Sequence, residues 1–361
     1  MVIFQYGRIA FAPAKEIVTK TSTSERGSIV DRNGKPLAVQ TNFYHFGVTA
    51  NSLKNLERFA EAVTPVIDAD KAELIEKLKS AKELPFIYIK KKITQNTFEE
   101  LKSVIPEKDL HAVRFDRIPG RVYPENTLAS QLIGYMGDDG NGLAGIEYSQ
   151  QTILSPVQKN GTNSGHGNNI YLTIDANLQY KLEKIAQKTM ENTQASSMML
   201  LAADAKTGEI LSYISLPSAN LNEYGKAANE ARIDRPAMTA YEPGSVFKIF
   251  TVASALDSGA IFQNETFICD GVYEKTFSAG GHIKITCLGH HGKITAREAL
   301  QYSCNDALAK KEEKIDTDIF LGRLRAMGFG SRTGIELAGE TSGYVRTKDD
   351  KLWSGRSKPT M

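Results

Sequence analysis

Four side chains in this sequence have types and spacing that could do chemistry: Ser245, Lys248, Ser303 and Asn305. The first two lie in YEPGSVFKIFTVASALDSG, residues 241–259, where Val246, Phe247, Ile249, Phe250, Val252, Ala253 and Leu256 recur at helical spacing. Pro243-Gly244 ahead and Asp257-Ser258-Gly259 behind mark its ends, so the pattern predicts a helix with Ser245 in the first turn. Residues three apart share a helix face, which lets the amine of Lys248 reach the hydroxyl of Ser245. A serine is a weak nucleophile until a base removes its proton. A lysine acts as that base only where burial or a nearby cation lowers its pKa. The apolar neighbours of Lys248 supply such burial, and free N–H groups of a first turn suit an oxyanion. Taken alone, Ser-x-x-Lys arises often by chance and reads first as a capping serine beside a solvated lysine. The second stretch, Ser303-Cys304-Asn305 within ALQYSCNDALAKKEEKI, changes that balance.

Ser245-Val246-Phe247-Lys248 followed by Ser303-x-Asn305 resembles the first two of three active-site motifs of the penicillin-binding proteins and serine β-lactamases, the third being Lys-Thr-Gly. The flanking segments RPAMTAYEPGSVFKIFTVASALDSG and MGFGSRTGIELAGE resemble class B penicillin-binding proteins, the monofunctional peptidoglycan transpeptidases.

The elements that must position these residues fill 361 residues, of which 41% are hydrophobic and 24% charged, enough for two domains. Forty-four basic residues against 42 acidic ones give a net charge of +2, which offers no argument for nucleic acid as a partner, and none is expected. Lys90-Lys91-Lys92 and Lys310-Lys311 read as solvated faces. No apolar run reaches the roughly 18 residues of a membrane span, and the N-terminus lacks a signal pattern. Class B proteins usually begin with one membrane anchor, so the resemblance implies that the anchor is removed or lies upstream. Met1–Pro13 reads equally as a tag, a stub or an added start.

Asn33-Gly34 between Ser28–Val30 and Leu37–Gln40 predicts a hairpin. Residues 52–66, 70–82 and 95–104 have helical periodicity, and 86–93 reads as a strand. Arg26–Ala38 resembles the box that opens the class B N-terminal pedestal, with Arg26, Asp31 and Arg32 in structural ion pairs. Arg121-Val122-Tyr123-Pro124 through Gly134, and Gly142–Glu147, resemble the other two pedestal boxes, which serine β-lactamases lack. Lys159–Asn169 is rich in Gly, Asn and Ser and reads as a connector. The expected division is a pedestal over 1–165 and a transpeptidase domain over 166–361, opening with a strand at 170–174 and a helix at 176–190 capped by Asp175. Leu178, Leu182, Ile185 and Ala186 would form that helix's apolar face.

Lys206-Thr207-Gly208 spells the third motif but precedes Ser245, between two β-prone runs, and is read as a turn outside the site. After Asn305 there is no Lys-Thr-Gly, Lys-Ser-Gly or His-Thr-Gly, so the chain reads as truncated within its second domain and is expected to fold poorly alone. Cys269 and Cys287 flank a Gly-rich insertion and could pair, leaving Cys304 over with its side chain in the core. His282, His290 and His291 with Cys287 raise the question of zinc. Their spacing matches no usual ligand pattern, so a polar loop beside the cleft is the reading adopted and no metal or cofactor is expected.

The resemblance implies an α+β protein: an elongated mixed α/β pedestal, then a serine β-lactamase-like domain, incomplete at its C-terminus, whose antiparallel sheet packs between helices with Ser245 beginning the central buried helix. It implies that Ser245 attacks the D-alanyl-D-alanine bond of a peptidoglycan stem peptide, with Lys248 as base, Ser303 as proton relay and Asn305 holding the substrate amide and Lys248. β-Lactams would acylate the same serine. Expected partners are a membrane glycosyltransferase and division proteins at the extracytoplasmic face of the bacterial membrane. The alternatives are a non-catalytic scaffold, or a β-lactamase or β-lactam sensor.

Overall fold

The computed structural model describes residues 25–156, 166–277, 281–354 and 357. Residues 1–13, most of the expected connector and the last four residues lie outside the described residues. The chain divides into two compact units, Met1–Ile233 and Asp234–Met361.

In the first unit, β1 (Ile29–Val30) and β2 (Pro36–Val48) form the expected hairpin. Gly34 takes φ +83° at the turn, a conformation that only glycine adopts without strain. β2 is the centre of a five-stranded sheet. It pairs with β3 (Ile87–Ile93) on one side and with β4 (Val113–Val122) over Val39↔Val122 to Val48↔Val113 on the other. β4 was not foreseen: RFDRIPGRV carries charge and a proline, which hide its alternation. Helices α1 (Leu56–Ile67), α2 (Lys71–Ser80) and α3 (Gln95–Val104) fall where periodicity places them. Asn55, Asp70 and Thr94 cap them by accepting a backbone N–H three residues on. Their apolar faces meet β2 around Phe46, Phe59, Leu78 and Leu101, all fully buried. Truncating either phenylalanine to alanine would cost about 3–5 kcal/mol.

The three pedestal boxes converge on Glu147. Arg26 Nε reaches one carboxylate oxygen at 2.7 Å and Arg121 Nε the other at 2.6 Å, with all three side chains buried. Arg32 pairs with Glu209 at 3.4 Å on the surface. Asp31 departs from expectation: its carboxylate accepts the backbone N–H groups of Asn33, Lys35 and Ala176 instead of forming an ion pair.

β5 (Ile170–Tyr171) pairs in parallel with β1, and α4 (Ala176–Thr193) begins at the Asp175 cap. These bonds, with that from Asp31, tie the segment after residue 166 into the first unit, so the compact units divide later than the change of composition near 159–169. α4 packs Leu182, Ala186 and Met190 on the hairpin of β6 (Met198–Ala203) and β7 (Ile210–Leu216), while Ile185 faces outward. Among the described residues this hairpin is the part of the expected transpeptidase sheet that forms. Lys206-Thr207-Gly208 is its exposed turn, where Asp204 accepts the N–H of Lys206 and Thr207.

In the second unit α5 (Lys248–Asp257) buries Thr251, Val252, Ser254 and Ala255 but exposes Ile249 and Leu256, so it is half-buried rather than enclosed. β8 (Thr266–Cys269) pairs with β11 (Gly292–Thr295), and β9 (Val272–Thr276) with β10 (His282–Thr286). The segment read as a polar loop is thus largely sheet. α6 (Ala296–Gln301), α7 (Asn305–Glu312) and α8 (Thr317–Ala326) complete a core around Val252, Phe267, Cys304, Leu308 and Phe320. Lys310 is half-buried and pairs with Asp270 and Asp306, but Lys311, also read as solvated, is buried over the Phe267 ring. Adjacent helix positions point about 100° apart, so the two lysines face different surroundings.

Candidate active site

Ser245 occupies a single 3-10 turn, Gly244–Phe247, that runs into α5 at Lys248. Gly244 enters it at φ +63°. Three residues per turn place Ser245 and Lys248 on one side, as the motif predicts, although the first turn is 3-10 rather than α. Phe247, Phe250 and Phe329 pack ring against ring with centroids 4.8–5.5 Å apart and fix the base of this turn. Ser245 itself is exposed.

The second motif is placed by a helix end. α6 starts with a capping box, Thr295 with Glu298, and stops at Tyr302. Ser303 then takes φ +51°, a left-handed conformation costly for a side-chain-bearing residue, and Cys304 turns inward to cap α7. This bend aims both oxygens of Ser303 at Lys248. Lys248 Nζ lies 2.8 Å from Ser303 O, 3.0 Å from Ser303 Oγ and 2.5 Å from Asn305 Oδ1. Asn305 is steadied by donating from Nδ2 to Thr286 O at 2.9 Å. The three oxygens satisfy a lysine in either state. An ammonium donates to all three, and a neutral amine donates to two and accepts the hydroxyl of Ser303. Burial holds the Lys248 pKa below its ordinary value.

The structure therefore brings Lys248, Ser303 and Asn305 together. Among the described residues no hydrogen bond joins Ser245 to Lys248. The site is open, and a recess of about 350 Å³ lined by Asp257, Ser258, Ile319, Gly322 and Arg323 includes none of the four residues.

Sequence reasoning missed what lies directly behind the second motif. Cys269, Cys287 and Cys304 are all free thiols, so the pairing considered for Cys269 and Cys287 is not present. The three sulfurs and a ring nitrogen of His291 lie within 4.8 Å of one another. Of the other two histidines, His282 pairs with Glu274, and His290 lies against Gly271. The sequence put Cys287 and His291, four residues apart, in the zinc question that was set aside, but it could not add Cys269 and Cys304, which lie 18 residues before and 17 after Cys287.

Comparison with known proteins places these features in a family. Residues 21–171 match the penicillin-binding protein dimerisation domain, and residues 198–358 match the penicillin binding protein transpeptidase domain. The probable peptidoglycan D,D-transpeptidase PenA of Neisseria meningitidis is 27% identical over 95% of this chain and 60% of its own length. The probable peptidoglycan D,D-transpeptidase FtsI of Caulobacter vibrioides is 32% identical over 67% of this chain and 39% of its own. The crystal structure of penicillin binding protein 2X from Streptococcus thermophilus shares the fold at a TM-score of 0.71 and 24% identity, over 90% of this chain and 54% of that one. The chain thus spans about 60% or less of the length of these relatives. With a dimerisation domain ahead of a transpeptidase domain, and Ser-x-x-Lys and Ser-x-Asn within the second, the chain belongs to the class B penicillin-binding proteins.

Proposed function

We propose that this protein is a peptidoglycan D,D-transpeptidase, with a pedestal over residues 1–165 and a transpeptidase domain over 166–361. The observation that carries this reading is the bonding of Lys248 Nζ to Ser303 and Asn305, which organises the amine three residues after Ser245.

Ser245 Oγ attacks the carbonyl carbon of the penultimate D-alanine of a stem peptide while Lys248 takes its proton. The bond to the terminal D-alanine breaks, and its nitrogen receives a proton through the Ser303 hydroxyl, leaving an ester on Ser245. An amine of a neighbouring stem peptide then attacks that ester, forms the cross-link and returns the proton to Ser245. Asn305 orients Lys248 and hydrogen-bonds the substrate amide. Free N–H groups at the start of the 3-10 turn face the developing oxyanion. β-Lactams enter the same path and stop at the acyl-enzyme. The cell-wall substrate sets the location at the extracytoplasmic face of the membrane, with a glycosyltransferase and division proteins as partners. Among the described residues no helix is long and apolar enough to cross a membrane.

The test is the intact mass of the protein before and after incubation with a penicillin, with Ser245→Ala as control. A single adduct that vanishes in the variant is the expected result. An adduct that persists in Ser245→Ala would remove Ser245 from the role of nucleophile.

A further inference from the structure

We infer that Cys269, Cys287, Cys304 and His291 form a structural zinc site that braces the Ser303-Cys304-Asn305 turn from behind. Four ligand atoms from the end of β8, the residue after β10, the loop before β11 and the cap of α7 converge within 4.8 Å. A zinc ion bound at about 2.3 Å to sulfur and about 2.0–2.1 Å to nitrogen sets a tetrahedron with S–S edges of about 3.8 Å and S–N edges of about 3.6 Å. The observed separations are 3.7 Å between Cys287 Sγ and Cys304 Sγ, 3.4 Å between Cys269 Sγ and His291 Nδ1, and 3.7 Å between Cys287 Sγ and His291 Nδ1. A disulfide would need about 2.05 Å between sulfurs, so the spacing suits a shared ion and not a bond.

The surroundings are built for this. The His291 ring stacks on Tyr302, with centroids 5.2 Å apart and planes 12° from parallel, which holds Nδ1 toward the sulfurs. The N–H of Ala307 donates to Cys304 Sγ at 3.4 Å, a contact that favours a thiolate. Three thiolates and a neutral imidazole around a divalent zinc carry a net charge of −1. Lys311 is buried beside the same core, and its Nζ has no hydrogen-bond partner among the described residues. Burial lowers its pKa to about 8 against the opposing pull of Cys304, so at neutral pH it remains an ammonium that offsets this charge. Soft sulfur donors with one imidazole select zinc over magnesium or calcium. Binding replaces the thiol protons, which pass to solvent.

The consequence for the site is mechanical. Cys304 lies between Ser303 and Asn305, and Cys287 follows Thr286, whose carbonyl holds Asn305. An ion linking the two cysteines fixes both partners of Lys248. This last step rests on the proposed function, whereas metal binding does not.

The test uses the full chain, purified under reducing conditions from cells supplied with zinc. Elemental analysis is expected to give about one zinc per chain. Replacement by cobalt should give the visible absorption of a tetrahedral, thiolate-bound ion. His291→Ala should lose zinc to a chromophoric chelator at least tenfold more readily than the parent protein. Cys269→Ser, read in the same competition, covers the case in which the histidine variant fails to fold. Metal-free protein whose three thiols react at once without a chelator would overturn the inference, as would a parent mass two hydrogens light or equal chelator competition by parent and variants. Retained zinc with no penicillin adduct would leave the site standing and count against the proposed function instead.

Discussion

Arg26 donates from Nε to Glu147 at 2.7 Å although 121 residues separate them, and it also donates to the Glu147 carbonyl at 2.8 Å. Arg121 holds the other carboxylate oxygen and reaches back from Nη1 to the carbonyl of Gly27 at 2.8 Å. One carboxylate thus joins three stretches of the pedestal that the sequence keeps far apart. The arrangement survives burial because each charge has both a partner and further hydrogen bonds.

Replacing Glu147 with glutamine keeps the volume and removes the charge, leaving two buried guanidinium groups uncompensated. The expected loss is about 3–5 kcal/mol. A urea titration followed by circular dichroism checks it, and an unchanged midpoint would contradict the structural role given to Glu147.

Asp31 offers a pH test of the neighbouring turn. Burial works against its charge, but the N–H groups of Ala176, Lys35 and Asn33 outweigh it and hold the carboxyl below the ordinary value of 3.8. With the folded pKa depressed, its stabilisation is fully present above the unfolded pKa and is lost as pH falls through the folded one. Asp31→Ala should therefore cost about 1–3 kcal/mol at neutral pH. The difference from the parent should shrink only below about pH 4. Denaturation midpoints measured at pH 7 and pH 3 decide this.

At the candidate active site, Lys248→Ala should slow penicillin acylation by about 10²–10⁴-fold while the chain stays folded. Burial lowers the Lys248 pKa, so the neutral amine becomes available at lower pH than for a free lysine. The acylation rate of the parent should rise with pH, through a midpoint below 10.5. A stopped-flow profile that stays flat over the stability range of the protein would exclude Lys248 as the base.

Lys206→Ala tests the misleading third motif. Lys206-Thr207-Gly208 is an exposed turn organised by Asp204, so the substitution should leave the acylation rate within about twofold of the parent. A large loss, with folding intact, would return Lys206 to the list of site residues.

The sequence alone determined whatever depends on near neighbours. Helical periodicity and capping residues located α1, α2, α3 and α4 to within a few positions, and Asn33-Gly34 located the first hairpin. Both candidate motifs were legible for the same reason, since each is only a few residues long. Tertiary structure alone decided what depends on residues far apart in the chain. β4 has a weak pattern of its own and becomes a strand by pairing with β2 along ten residues. Glu147 gains its role from arginines 121 and 26 residues away, and Lys248 gains its oxygens from a bend at Ser303, 55 residues on. The cysteines show the difference most clearly: their spacing suggested one pair and a leftover thiol. Three strand ends and a helix cap bring all three to one histidine, because separations in space follow from chain packing and not from counting along the sequence.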